Sequence, residues 1–342
     1  DPGGGLFGDA YVRRGGRTNI SVSVDGAVTT SATGSGSKAT TDIGTSRGQG
    51  GTAQVDIHGN VTTISSGRST ARTDVGVASG KRAKVVVNID GTITTIAAGR
   101  SESKTEVGVA SGDRSEANVS VDGSVTTIAT GHSKAKTSIG VASGNRAKVM
   151  VDIDGNIVTL ASGAAQSTTE IGVARGKRSH ANASVKGSVV TRASGVGRAT
   201  AQIGIANGSG NATAHIKGNV ITVAPGMGRA QTQIGTSSGG RSGSAYVNGT
   251  VLTQGGLGSA NTKIGTNGTA FVKDVMNFGG GVSIGGGGVC QEKRNGQCCL
   301  QIYLNRCVTQ ITPSAKGACP PLWYPVRGLC YFIPDYSHII RR

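Results

Sequence analysis

The chain has 342 residues, a net charge of +17 and 58 glycines against 3% aromatic residues, which excludes a conventional core built on large side chains. It has no helical period and no apolar run long enough to span a bilayer, and its start at Asp1 fits a processed secreted chain. The positive charge reads as spread rather than clustered: the segment from Cys290 carries +5, seven Lys or Arg against two Asp or Glu, and the rest +12.

Residues 1–16, DPGGGLFGDAYVRRGG, form a glycine-rich arm. Its Leu6, Phe7 and Tyr11 predict packing on the first repeat or on a neighbouring subunit.

Over 17–265 a unit of about 32 residues recurs eight times. Its turn glycines are Gly26, Gly59, Gly91, Gly123, Gly155, Gly187, Gly218 and Gly249. A second series, Gly44, Gly76, Gly108, Gly140, Gly172, Gly204, Gly235 and Gly265, follows an Ile or Val. Residues two before and two after each turn glycine are all β-branched, and four after it stands a threonine in every copy, from Thr30 to Thr253. Val85, Val87 and Ile89 alternate with Lys84, Val86 and Asn88, a period of two that argues for strands. Each unit reads as three short strands separated by glycine corners.

One unit cannot bury its apolar face alone, whereas stacked units can. The predicted fold is all-β, a repeat β-solenoid of about eight coils. An antiparallel hairpin array is the alternative, because Asp-Gly is also a hairpin signal. The pattern resembles secreted β-solenoid fibres and, more loosely, curlin-type functional amyloids, although the Gln and Asn ladders of the curlin repeat are missing.

Charged positions recur too: Arg17, Arg82, Arg114, Arg146 and Arg178 nine residues before the turn, and Asp42, Asp74, Glu106 and Glu170 before the second glycine. Stacking would make ladders of them, and like-charge repulsion predicts that the acidic and basic ladders interleave. The turn acids Asp25, Asp90, Asp122 and Asp154 lack the G-G-x-G-x-D context of calcium solenoids, and plain turn chemistry explains them. No metal or cofactor is expected. The invariant threonine lies in phase with the apolar positions, so an inward ladder of mutually bonded hydroxyls is expected rather than an ice-binding face.

Ile64, Ile96, Ile128 and Leu160 lie on the opposite face from that threonine. They predict either a strand sandwiched between layers or an exposed lateral ridge. The position four before the turn changes from Val in copies one to five to Ala183, Ala214 and Ala245, so the array tapers. Residues 266–289 read as a broken ninth unit or glycine-rich connector.

Residues 290–342 are a different kind of sequence, a second domain holding Cys290, Cys298, Cys299, Cys307, Cys319 and Cys330. With no C-x-x-C pair, three disulfides and an oxidising compartment are expected, with the connectivity open. Trp323, Tyr324, Tyr331 and Phe332 offer an anchor surface for the arm of another copy.

No copy carries a unique cluster of acids and bases in an insertion, so an enzyme, such as a β-helix polysaccharide lyase, is not expected. Without aromatic stacking positions in the repeats, sequence-specific nucleic-acid binding is not expected either. Net charge predicts non-specific attraction to anionic polysaccharide, extracellular DNA or a negative cell surface. The functional expectation is a secreted structural protein, the subunit of an extracellular filament or matrix fibre assembled head to tail. A surface adhesin stalk with a cysteine-rich binding tip is the alternative.

Overall fold

A computed structural model describes residues 8–14, 19–34, 36–47, 50–67, 69–208, 210–225, 227–238, 242–255, 259–265, 270–278 and 280–284. In the C-terminal segment it describes 293–294, 297–298, 302–303, 306–307, 323–326 and 329–332. The chain divides into two units, 1–287 and 288–342.

The first unit is a parallel β-solenoid making about seven turns. Every described strand pair in it is parallel, and equivalent residues face each other: Thr95 pairs with Thr127, and Thr127 with Thr159. That register rejects the hairpin array. The Asp-Gly pair turns a corner without reversing the chain, and strands Lys84–Ala98 and Glu116–Ala129 run through it unbroken, as Gly243–Gly255 does through Asn248-Gly249. Each rung has three walls. Strands before and after the corner glycine share a fourteen-stranded sheet, and the third strand of each repeat joins a ten-stranded sheet.

From Gly59 onward the corner glycines have no room for a side chain, whereas Gly26 in the first rung faces open space. Gly91 takes φ 141°, its added β-carbon would collide with the Gly59 carbonyl, and the Gly59 N–H donates to Asp90 O at 2.8 Å. At another corner Arg82, Arg114, Arg146 and Arg178 adopt left-handed φ values of 58° to 61°. In the second repeat Gly50, φ 71°, occupies the equivalent position. Such a backbone costs an L-residue roughly 1–2 kcal/mol, offset here by hydrogen bonds continuing from rung to rung, such as Arg82 N–H to Asp113 O at 2.8 Å.

Inside, the pattern is as thin as the composition requires. Val85, Val87 and Ile93 are fully buried, and the largest fully buried side chains are isoleucines, including Ile57, Ile139 and Ile203. Burying each contributes about 1.5–3 kcal/mol. The Ile/Val-Gly pair has a steric purpose: Gly140, φ 58°, leaves the space that Val151 Cγ2 fills from the opposite wall. In later rungs Ala183 and Ala214 face Gly172 and Gly204, and the backbone carbonyl of Thr213 comes up against Gly204. The taper is therefore a narrowing of the interior.

Two expectations about the ends are refined. Gly8–Arg14 is a strand pairing in parallel with Lys38–Arg47, so the first residues supply an extra partial rung. Leu6, Phe7 and Arg17 lie outside the described residues, as does the Tyr11 side chain. Ala270–Phe278 and Gly280–Ile284 extend both sheets, which makes the broken ninth unit a closing rung.

In the second unit three short antiparallel ribbons are described. One pairs Trp323 with Phe332 and Tyr324 with Tyr331, bringing the four aromatic candidates onto a single hairpin. The six cysteine side chains lie outside the described residues.

Candidate functional site

The solenoid offers three outer walls and two ends, and sequence chemistry assigns each a different character.

The wall of third strands carries the acidic column. Asp42, Asp74 and Glu106 are register partners in successive rungs. They do not pair with the left-handed arginines, contrary to the expected interleaving. For Asp74 and Glu106 the bases come from two residues earlier on the same strands. Arg72 Nε donates to Asp74 Oδ2 at 2.6 Å and its terminal nitrogen to Glu106 Oε2 at 3.0 Å, while Lys104 Nζ meets Glu106 at 2.8 Å. Glu170 is held differently, by Lys136 of the preceding rung and by Arg175 at the end of its own strand. The reason is the pleat: residues i and i+2 share a face, whereas Arg82 and its equivalents turn outward at a corner. Those four arginines have no ion pair among the described residues.

This network is partly buried, which sets its electrostatics. Desolvation pushes the Asp74 carboxyl up to about 7, assisted by Glu106 and Asp42 and opposed by Arg72. Burial disfavours the Arg72 charge, yet Asp74, Glu106 and Asp42 together hold its pKa above the ordinary value. Asp42 Oδ1 and Asp74 Oδ1 are buried without a hydrogen-bond partner. Among the described residues no group of three or more His, Cys, Asp or Glu is placed to hold a metal ion.

The wall after the corner glycine is nearly free of charge. Between one and seven residues past each turn glycine, Arg192 is the only ionisable residue in eight copies. Ile64 is 38% exposed, and Ile96, Ile128 and Leu160 are half-buried on this surface. Among the described residues no second layer covers these four side chains. Arg192 interrupts this column, but a parallel column on the same wall, Val158, Val190 and Ile221, is also half-buried, which the sequence reading missed.

The wall before the corner carries an aromatic stack that was also missed. His215, Tyr246 and Phe271 are register partners. Their ring centroids lie 4.7 Å and 4.9 Å apart, the second pair stacked at 15°. Aligning the repeats on their turn glycines would have aligned His215 with Tyr246. Phe271 needed the register of the shortened ninth unit.

The charge distribution corrects the sequence reading as well. Residues 171–273 contain eleven Lys or Arg and no Asp or Glu, so most of the excess charge sits on the later rungs. On the third-strand wall the acidic column gives way there to Gln202, Gln233 and Lys263, in register with Glu170 and with one another.

Comparison with known proteins finds no matching family model, no matching curated protein and no matching solved structure.

Proposed function

We propose that the chain is the structural subunit of an extracellular fibre that grows head to tail. The observation that carries this reading is the state of the two solenoid ends. At one end Gly8–Arg14, Asn19–Asp25 and Val28–Thr33 each pair on one side only among the described residues. At the other end the same holds for Ala270–Phe278 and Gly280–Ile284. Both ends thus offer rows of backbone donors and acceptors over an apolar interior, narrower at the later end. Edges of this kind favour addition of another rung, and joining unlike ends is a heterologous contact that does not close on itself.

Gly8–Arg14 is already paired within its own chain, so growth is best ascribed to the sheet edges rather than to an arm reaching for the aromatic hairpin. The exposed ridge through Ile64, Ile96, Ile128 and Leu160 suits lateral contact between such fibres, because it is the wall on which strongly basic copies repel one another least.

Negative-stain microscopy and fibre diffraction of purified protein test this. Filaments of indefinite length with a reflection at about 4.8 Å along the axis are expected. Monodisperse short rods at every concentration would overturn the reading and favour a stalk.

A further inference from the structure

We propose that the third-strand wall of the later rungs binds a linear acidic polysaccharide, with Arg198 and Arg229 taking its carboxylates. This site does not depend on whether the chain polymerises.

On this wall the early rungs neutralise themselves, as Arg72, Lys104 and Lys136 lie against Asp74, Glu106 and Glu170. In the later rungs both columns become neutral, the bases giving way to Thr168, Thr200 and Gln231, while a separate column that holds Lys134 and Gln166 in earlier rungs continues as Arg198 and Arg229. Arg198 and Arg229 are register partners, both exposed, with no ion pair among the described residues. Two grooves of about 280 Å³ each adjoin both arginines. One is completed by Gln231, Ser259 and Asn261, the other by Gln166, Val196 and Met227. Two guanidinium groups one rung apart, roughly 4.8 Å along the axis, repel each other unless an anion lies between or across them. Each can take a carboxylate in a bidentate pair. Lys263 extends the basic surface one rung further.

The remaining lining fits a sugar polymer. In the first groove Gln231, Ser259 and Asn261 suit sugar hydroxyls, and in the second Val196 and Met227 suit the apolar faces of sugar rings. Binding single-stranded nucleic acid uses free aromatic faces for the bases. The rings of His215, Tyr246 and Phe271 stand in the other sheet and cover one another. A polyuronate supplies regularly spaced carboxylates and hydroxyls without needing such faces.

Titration calorimetry of the full chain with polygalacturonate at near-physiological salt tests the site. Replacing Arg198→Gln and Arg229→Gln together should weaken binding about tenfold or more. Arg82→Gln with Arg114→Gln removes the same charge at another corner and should weaken it less than about threefold. Equal losses would reduce the effect to bulk charge and overturn the site. So would absence of polyuronate binding, or tighter binding of single-stranded DNA with the same arginine dependence. A measurement on the unmodified protein stands beside the variants: bound polyuronate should shield Arg198 and Arg229, and not Arg82 and Arg114, from an arginine-selective dicarbonyl reagent. Uniform shielding would equally reject the proposal.

Discussion

Thr222 Oγ1 is buried without a partner: Thr232 bonds Thr253 instead, and the other hydroxyl of the pattern is missing because position 201 is alanine. Elsewhere two threonine columns zip across the interior. Thr137 bonds Thr127 and Thr159 at 2.8 Å, and Thr169 bonds Thr159 at 2.8 Å and Thr191 at 2.7 Å. Ala201 is the register partner of Thr169 and Thr232 and interrupts the series. Ala201→Thr should therefore raise the unfolding free energy by about 1 kcal/mol by satisfying Thr222. Denaturant titration of the two proteins checks this, and an unchanged or lower midpoint would contradict it.

The glycine facing Val151 makes a second prediction. Gly140→Ala should destabilise by about 2–4 kcal/mol, since it combines a left-handed backbone with overpacking against Val151. Adding Val151→Ala, the residue type that Ala183 places opposite Gly172 in the next rung, should recover part of that loss by relieving the closest contact. Strict additivity in a double-mutant cycle would show that the two residues do not compete for space.

The raised carboxyl of Asp74 predicts a pH dependence with a definite sign. Its folded pKa of about 7 lies above the ordinary 3.8, so over the interval between them the native state holds a proton that the unfolded chain has released. Stability from this group is complete below the lower value and is lost as pH rises through about 7. The stability difference between the parent and Asp74→Asn should fall by an amount on the order of 3 kcal/mol over that rise. A difference that is flat, or that grows with pH, would refute it.

Replacing Ile64, Ile96, Ile128 and Leu160 by threonine, the residue two positions earlier in the first three of these rungs, should leave the single chain nearly as stable, because these side chains are half-buried or exposed. Lateral bundling of fibres should disappear in electron micrographs. Bundles of parental thickness would remove the ridge from the contact.

The cysteine count supports one further expectation: six oxidised thiols, seen as an intact mass about 6 Da below the reduced value. Titratable thiols on native protein would contradict it.

Much of this molecule is local and therefore legible. Alternation of Val85, Val87 and Ile89 specifies which side chains face inward, since the strand period is two whatever the strand pairs with. The inward threonine, the thin aliphatic interior and the taper from Val151 to Ala183 follow from the same phase. The sequence by itself thus determined repeat length, strand phase and the composition of the core. Only the tertiary structure decided how rungs pair, because an Asp-Gly corner is compatible with a hairpin as well as a coil. What selects the coil is non-local: the Gly59 N–H meets the carbonyl of Asp90 in the next rung. The partners of Asp74, the second threonine column and the stacking of Tyr246 on Phe271 were hidden for the same reason. Each contact joins residues set by the pleat of one strand to residues brought up by the next turn, and a linear pattern gives their faces but not which face meets which.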